Sequence, residues 1–278
     1  MKILTLTTDF GLRDSYVAEM RGVFLSCCPD AVVVDVTHAV GQGDLTAASF
    51  LLKGAYRYFD DGALHLVVVD PGVGTGRDIL LVETAHFLFV GPDNGVLYEA
   101  CAEDTVGAIY ALDTSAFPRT LGEVFDTSVI RRLRAGGVSR TFHGRDLFSP
   151  LAAYLLQGHP PGEVMREKSS MVRLDLPKPK IGKTEVSGEI LFIDGFGNLI
   201  TNIPAAAVRS PAEVFISVGG EVRSLGSPKS AYAEAKRADP LAIVGSRGYL
   251  EIGVNGGNAR DTLGAGRGDG VLLIEKSG

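Results

Sequence analysis

The sequence predicts an α/β N-terminal domain with a mostly parallel sheet, followed by a C-terminal antiparallel β-barrel domain. Three observations carry this. The apolar runs Ile3 to Thr7, Ala31 to Val36 and Leu64 to Asp70 alternate with two stretches of helical spacing. That β-α-β-α-β order makes a parallel sheet with helical crossovers. A charged stretch containing Pro177 and Pro179 then reads as a linker. Beyond it, short strand-like runs separated by Gly, Pro, Asn and Asp have the spacing of a small barrel. The boundaries are drawn as 1–165 for the first domain, 166–183 for the linker and 184–278 for the barrel.

Element by element, Ile3 to Thr7 forms the first strand and ends at Thr8-Asp9-Phe10-Gly11. Ser15 is placed to cap a helix through Tyr16, Met20, Val23 and Leu25, stopped by Pro29. Ala31 to Val36 reads as a second buried strand, and Asp44 to Tyr58 as a helix with Leu45, Ala48, Leu51, Leu52 and Ala55 on one side. Leu64 to Asp70 is the third strand. Ile79 to Thr84 and Phe87 to Val90, separated only by Ala85-His86, suggest a hairpin, and Gly107 to Tyr110 suggests a further strand. Thr120 to Arg134 has some helical spacing, with Arg131, Arg132 and Arg134 taken as a solvated C-terminus. An apolar helix runs from Leu147 to Leu156. The barrel runs are Val186 to Asp194, Leu199 to Ile203, Glu213 to Val218, Leu241 to Val244, Leu250 to Val254 and Gly270 to Glu275.

Composition narrows the function. Of 278 residues, 45% are hydrophobic and 22% charged, the profile of a chain that buries a real core. A net charge of -6 gives no general attraction to nucleic acid or anionic membrane. No apolar run approaches the ~20 residues that span a bilayer. The N-terminus enters a strand pattern without a signal-peptide layout, so a cytoplasmic location is expected. The adjacent Cys27 and Cys28, with Cys101, are an odd number without metal-ligand spacing, and reduced thiols are expected.

The chemistry gathers where strands end. The third strand delivers Asp70 into Pro71-Gly72-Val73-Gly74-Thr75-Gly76-Arg77, a glycine-rich loop with a guanidinium at its far end. Carboxyl ends of strands in open α/β sheets are where ligands bind. Among the histidines, His38, His65, His86 and His159 read as structural. His143 stands in a polar knot, Thr141-Phe142-His143-Gly144-Arg145-Asp146, just before a helix. No nucleophile elbow, P-loop, zinc motif or paired-carboxylate signature is present. An Asp, an Arg and a His remain, a set suited to holding a small nucleophile. In the second domain Asp194-Gly195-Phe196-Gly197-Asn198 and Ser246 to Asn255 are polar loops feeding strands. By residue type alone, ordinary β-turn chemistry accounts for both.

Taken in order, these motifs, with Gly91-Pro92-Asp93-Asn94-Gly95 and Thr201-Asn202, closely resemble the S-adenosyl-L-methionine hydroxide adenosyltransferases, relatives of the fluorinating and chlorinating enzymes. The resemblance covers nearly the whole chain; residues 117–137 look longer than the family pattern. It implies cleavage of S-adenosylmethionine by water into adenosine and L-methionine. It assigns the catalytic set to Asp70, Arg77 and His143, with His143 either a base or an orienting donor. It assigns substrate contacts to Asp9, Asp194, Phe196, Asn198, Ser246, Arg247, Glu251 and Val254. The halogenating relatives carry a tyrosine where this chain has Asp70, which favours hydroxide over halide. The resemblance further implies no cofactor, no metal and a homotrimer with sites at subunit interfaces. The alternatives are a halogenase, revealed by 5′-chloro-5′-deoxyadenosine, and a catalytically silent binding protein, revealed by binding without methionine release. A metal hydrolase, which a chelator would inactivate, comes third.

Overall fold

The structure, a computed structural model, describes residues 1–276. The chain divides into two compact units, one spanning Met1–Leu174 and the other beginning at Asp175. In the first unit β1 (Ile3–Thr8), α1 (Tyr16–Cys27), β2 (Val32–Thr37), α2 (Leu45–Ala55) and β3 (Leu64–Val68) alternate as expected. They are followed by β4 (Ile79–Thr84), β5 (Leu88–Pro92), α3 (Tyr98–Glu103) and β6 (Val106–Leu112). Next come α4 (Phe117–Val124), α5 (Ser128–Gly136), α6 (Ser149–Leu156) and β7 (Met165–Glu167).

The seven strands lie in the order β2-β1-β3-β5-β4-β6-β7. β2, β1, β3 and β5 pair in parallel, whereas β4, β6 and β7 add antiparallel. The change of direction follows from connection length. Ala85-His86 closes only a hairpin between β4 and β5, because a parallel return needs a dozen residues or more. β3 is wholly buried, as its unbroken apolar run requires. β2 corrects one expectation: it is the sheet edge, with Val32 exposed, rather than a buried strand.

Helices α1 and α6 pack on one face of the sheet around Met20, Phe24, Leu66, Phe148, Leu151 and Tyr154. Each such side chain contributes about 1.5–3 kcal/mol through burial. Ser15 stands at the start of α1, but its hydroxyl donates to Glu19 Oε1 (2.7 Å) instead of capping a backbone N–H. The stretch expected as one helix is two. Phe125 turns extended, and Thr127 accepts from Ile130 N to start α5. Arg134 folds back over Gly122 of α4, where a Cβ would collide with its guanidinium.

The second unit contains β8 (Lys180–Ile181), β9 (Glu185–Ile193), β10 (Leu199–Pro204), β11 (Ala212–Val218) and β12 (Glu221–Gly226). It continues with β13 (Pro240–Val244), β14 (Tyr249–Val254), α7 (Ala259–Leu263) and β15 (Gly270–Glu275). The strand order is β12-β11-β15-β9-β10-β14-β13, antiparallel throughout, with β8 on β9. The end strands β12 and β13 lie side by side, so the sheet is nearly closed into a barrel. Its core is built from Val186, Ile190, Leu199, Ile203, Val214, Ile216, Leu250, Ile252, Val271 and Leu273.

Between the two sheets of the chain, the segment 166–183 is tied down at both ends. β7 pairs with β6 in the first unit, and β8 pairs with β9 in the second. Lys168 Nζ donates to Asp78 (2.7 Å) and Asp93 (2.6 Å), and Val172 N donates to Asp93 Oδ1 (2.7 Å).

Candidate active site

Strand β3 ends at Val68, and buried Val69 leads to Asp70 at its carboxyl tip. Asn94, beyond β5, steadies this tip by donating through Nδ2 to Val69 O (2.9 Å). The chain then turns tightly. Val73 N donates to Asp70 O (3.2 Å), and Thr75 donates to Gly72 O through both N (3.1 Å) and Oγ1 (2.6 Å). Gly74 has φ +75°, and a Cβ on it would run into the Arg140 carbonyl oxygen. Only glycine fits, on both conformational and steric grounds.

That turn swings Arg77 back onto Asp70. Arg77 Nε lies 3.0 and 2.9 Å from the two carboxylate oxygens, and Nη2 also donates to Oδ2. The pair is almost fully buried, at 10% exposure for the Arg77 side chain and 5% for Asp70. Such a fork fixes both partners in orientation as well as charge. Arg77 also stacks on Phe148, 5.4 Å from its ring centroid.

The same guanidinium reaches His143, with Nη2 3.0 Å from Nδ1. A guanidinium only donates, so Nδ1 is the acceptor and the neutral ring carries its proton on Nε2. Burial, then the Arg77 charge, holds the His143 pKa below its usual 6.5, with Asp70 and Asp146 pulling the other way. Asp70, Arg77 and His143 are thus brought together as a charge-paired carboxylate and guanidinium beside a neutral imidazole.

Asp9 stands at the end of the neighbouring parallel strand, since Thr8 is in register with Val68. Its Oδ2 accepts from Gly43 N (2.8 Å), and Gly43 in turn faces Pro71. Asp9 therefore lies along the same edge of the sheet as Asp70.

The second unit gathers its own polar set. Asp194 Oδ1 accepts from Phe196 N and Asn198 N, both at 2.9 Å, while Asn198 Nδ2 donates to Asp194 Oδ2 at 3.0 Å. This Asx-type turn holds Phe196 outward, 82% exposed. Gly197, at φ +84°, leaves room for Asn258, whose side chain caps α7. Glu251 accepts from the Tyr232 hydroxyl and fills the space beside Gly245, and burial with that carboxylate raises the Tyr232 pKa. Ser246 and Arg247 form the exposed turn between β13 and β14. Val254 has its side chain in the barrel core, so only its backbone is presented elsewhere. Tyr232 and Asn258 were missed in the sequence, as neither sits in a recognisable motif. Arg145 and Asp146 were noticed only as neighbours of His143.

All three cysteines are buried and free. Among the described residues, no group of three or more His, Cys, Asp or Glu is placed to hold a metal ion. Among them too, no helix is long and apolar enough to cross a membrane.

The sequence that folds into this α/β unit and this β-barrel unit matches known proteins along nearly the whole chain. Residues 4–165 match the SAM hydroxide adenosyltransferase N-terminal domain, and residues 188–272 match the C-terminal domain of that family. The (R)-S-adenosyl-L-methionine hydrolase of Thermus thermophilus is 36% identical over 275 residues, covering 99% of this chain and all of the relative. The enzyme of that name from Salinispora tropica is 35% identical, covering 96% of this chain and 95% of the relative. A fluorinase from an Actinoplanes species is more distant, 28% identical over 91% of each chain. A crystal structure of a conserved Thermotoga maritima protein superposes with a TM-score of 0.84 at 33% identity, over 98% of this chain and all of the other. The chain belongs to the SAM hydroxide adenosyltransferase family.

Proposed function

We propose that this protein hydrolyses S-adenosyl-L-methionine to adenosine and L-methionine. The observation that carries the reading is the buried fork between Asp70 and Arg77 with His143 Nδ1 on the same guanidinium. In the reaction, a water oxygen forms a bond to C5′ of the ribose. The C5′–S bond breaks with its electron pair going to sulfur, and the sulfonium leaves as the neutral thioether of methionine. No acid is needed for that departure, so the protein's task is to place one oxygen in line and exclude others.

Asp70 accepts a hydrogen bond from the water and receives its proton as the C5′–O bond forms, leaving the neutral 5′-hydroxyl of adenosine. Arg77 holds the Asp70 carboxylate and His143 Nδ1 in fixed orientation through its buried hydrogen bonds. His143 donates from Nε2 and orients the nucleophile, a donor role favoured over that of base because Nδ1 is committed to Arg77. Asp9 would accept from the ribose hydroxyls. Phe196 would lie against the adenine, with Asn198, Glu251 and the Ser246–Arg247 turn reading polar edges. Asp194 would shape that loop, and Val254 would contribute its backbone.

Family resemblance supports a cytoplasmic homotrimer that needs no cofactor, each site shared between the α/β domain of one subunit and the barrel of the next. Such a head-to-tail contact closes into a ring under three-fold rotation. It is tested by dissociating and mixing Asp70→Ala with Asn198→Ala subunits. Activity returns if the site is shared, and stays absent despite subunit exchange if it is not.

The central experiment is incubation of the purified protein with S-adenosylmethionine, with and without chloride, followed by chromatography. Adenosine and methionine in equal amounts are expected in both. A chlorinated nucleoside, or tight binding with no methionine released, overturns the proposal.

A further inference from the structure

His143 begins a widened, π-type turn, Gly144–Phe148, that runs into α6. Turns of this kind leave a carbonyl poorly satisfied and recur at functional sites. Here Gly144 O accepts twice, from Ser149 N in the turn's own five-residue bond and from Ser149 Oγ (2.8 Å). Gly144 itself is closely packed: a Cβ would meet Met20 Sδ at 3.1 Å and the rings of Phe10 and Phe142 at 3.3 Å. The start of the turn is therefore seated firmly against α1. What holds the segment before it is Asp146.

The Asp146 side chain is only 2% exposed. Its Oδ2 accepts from Ser139 N (2.8 Å), closing a loop of chain from 139 to 146. Arg145 completes the clamp with Nε on Asp146 Oδ1 (2.6 Å) and Nη2 on Oδ2 (3.2 Å). The same guanidinium lies over the Phe142 ring, 5.0 Å from its centroid, and ties to Glu19 Oε2 of α1 (3.0 Å). The closed loop contains His143 and also Arg140, whose carbonyl backs Gly74 in the turn that aims Arg77. One buried carboxylate thus braces both sides of the contact between Arg77 and His143.

We infer that Asp146 is a positioning residue for the reaction, acting with Arg145 and Glu19 to fix His143 and the Gly72–Gly76 turn at the separation the nucleophile needs. The inference rests on the proposed role of His143. Releasing Ser139 frees the loop to move, and a displacement near 1 Å at a reacting group costs on the order of 100-fold in rate. The bulk of the substrate is untouched, so the loss falls on kcat.

The test is Asp146→Asn, which keeps the shape, removes the charge and leaves one acceptor oxygen where two served, so either Ser139 N or Arg145 Nε loses its partner. The expected result is a fall in kcat of roughly 10–100-fold with KM for S-adenosylmethionine within about twofold. A second readout is independent of turnover. The charged groups around His143 are Asp70 and Arg77 from the loop after β3, Asp146 and Arg145 on its own turn, and Glu19 on α1. Asp146 raises the His143 pKa, so Asp146→Asn lowers it, and ¹⁵N chemical shifts of the ring record the change.

In the parent protein those shifts are expected to show an unprotonated Nδ1 at neutral pH, with the acid limb of kcat following the same titration. Unchanged ring shifts and an unchanged acid limb in the variant overturn the inference, even if activity falls. If the parent releases no methionine, the functional proposal fails, and the ring titration still decides the positioning. Should Asp146→Asn not fold, Glu19→Gln removes only the anchor on α1. It is expected to lower kcat a few-fold at constant KM, and an unchanged kcat overturns the inference.

Discussion

Replacing Gly74 by alanine tests how tightly the turn after β3 is fitted. Two costs arise at once. Gly74 has φ +75°, a left-handed conformation that costs an L-residue about 1–2 kcal/mol. The added Cβ would also sit closer than 3.0 Å to the Arg140 carbonyl oxygen, whereas ordinary contact begins at 3.4 Å. The turn, or the 139–143 wall behind it, must therefore retreat by at least 0.4 Å (3.4 − 3.0). That wall carries His143 and the turn carries Arg77, so the retreat opens their 3.0 Å contact directly. If about 1 Å of misplacement costs on the order of 100-fold, a retreat of this size costs roughly tenfold or more in kcat. Steady-state methionine release measures it, with thermal unfolding followed in parallel. Gly76→Ala is the matched control: it stands in the same turn, has an ordinary φ and meets nothing within 4 Å, so near-parental kcat is expected. Gly74→Ala turning over within twofold of the parent would refute the reasoning, as would an equal loss in both variants.

Other perturbations read other parts of the molecule. Asp70→Asn and Arg77→Lys each break the buried fork, and each is expected to cut kcat by at least 100-fold with little change in substrate affinity, checked by turnover and calorimetry. The acid limb of kcat is expected below pH 6.5, because protonating His143 Nδ1 removes the acceptor for Arg77 and the folded protein already resists that protonation. A limb at or above 6.5 would contradict this. His65 predicts a pH dependence of stability. It is buried with Nδ1 on Thr5 Oγ1 (2.8 Å), and burial lowers its pKa to about 4. Its contribution is complete above the unfolded value of about 6.5 and declines as pH falls toward the folded value. About 2 kcal/mol is lost at pH 5. Urea unfolding at pH 7 and pH 5 measures the difference, and His65→Gln should flatten it.

Legibility in the sequence followed burial. β3 was plain because a strand covered on both faces is an unbroken apolar run, and its end at Asp70-Pro71-Gly72 is unmistakable. The six barrel runs were plain for a related reason, each interrupted by turn residues. What escaped had too little apolar pattern to read. β12 carries Glu221, Val222, Arg223 and Ser224 on the exposed end of the sheet, and β7 and β8 are only three and two residues long. The break between α4 and α5 depends on Phe125 turning extended and Thr127 capping, which helical spacing alone does not register.

The site was legible in parts and illegible as an assembly. Asp70 and Arg77 are seven residues apart, so one turn can join them, but His143 lies 66 residues beyond Arg77. No periodicity says which loops meet across such a gap. The family resemblance supplied the pairing, and the fold supplies its cause: the loop after β3 rests on the segment before α6. Arg145 and Asp146 were read only as part of the motif around His143; their tie to Glu19, 126 residues before Arg145, escaped both kinds of reading, since charged residues near a helix start ordinarily face water.

At the proposed site the buried fork would also act as an ion filter. Asp70 and Arg77 cancel, and His143 adds no charge while its pKa is depressed, so the cluster as a whole is neutral. A chloride ion entering it would leave its hydration shell and meet no uncompensated positive charge in return, which is costly in a buried setting. A water molecule brings no net charge to strip of solvent and finds both a donor and an acceptor waiting. Nor does a neutral cluster repel the cationic sulfonium. Discrimination between water and halide would then rest on a cancelled charge.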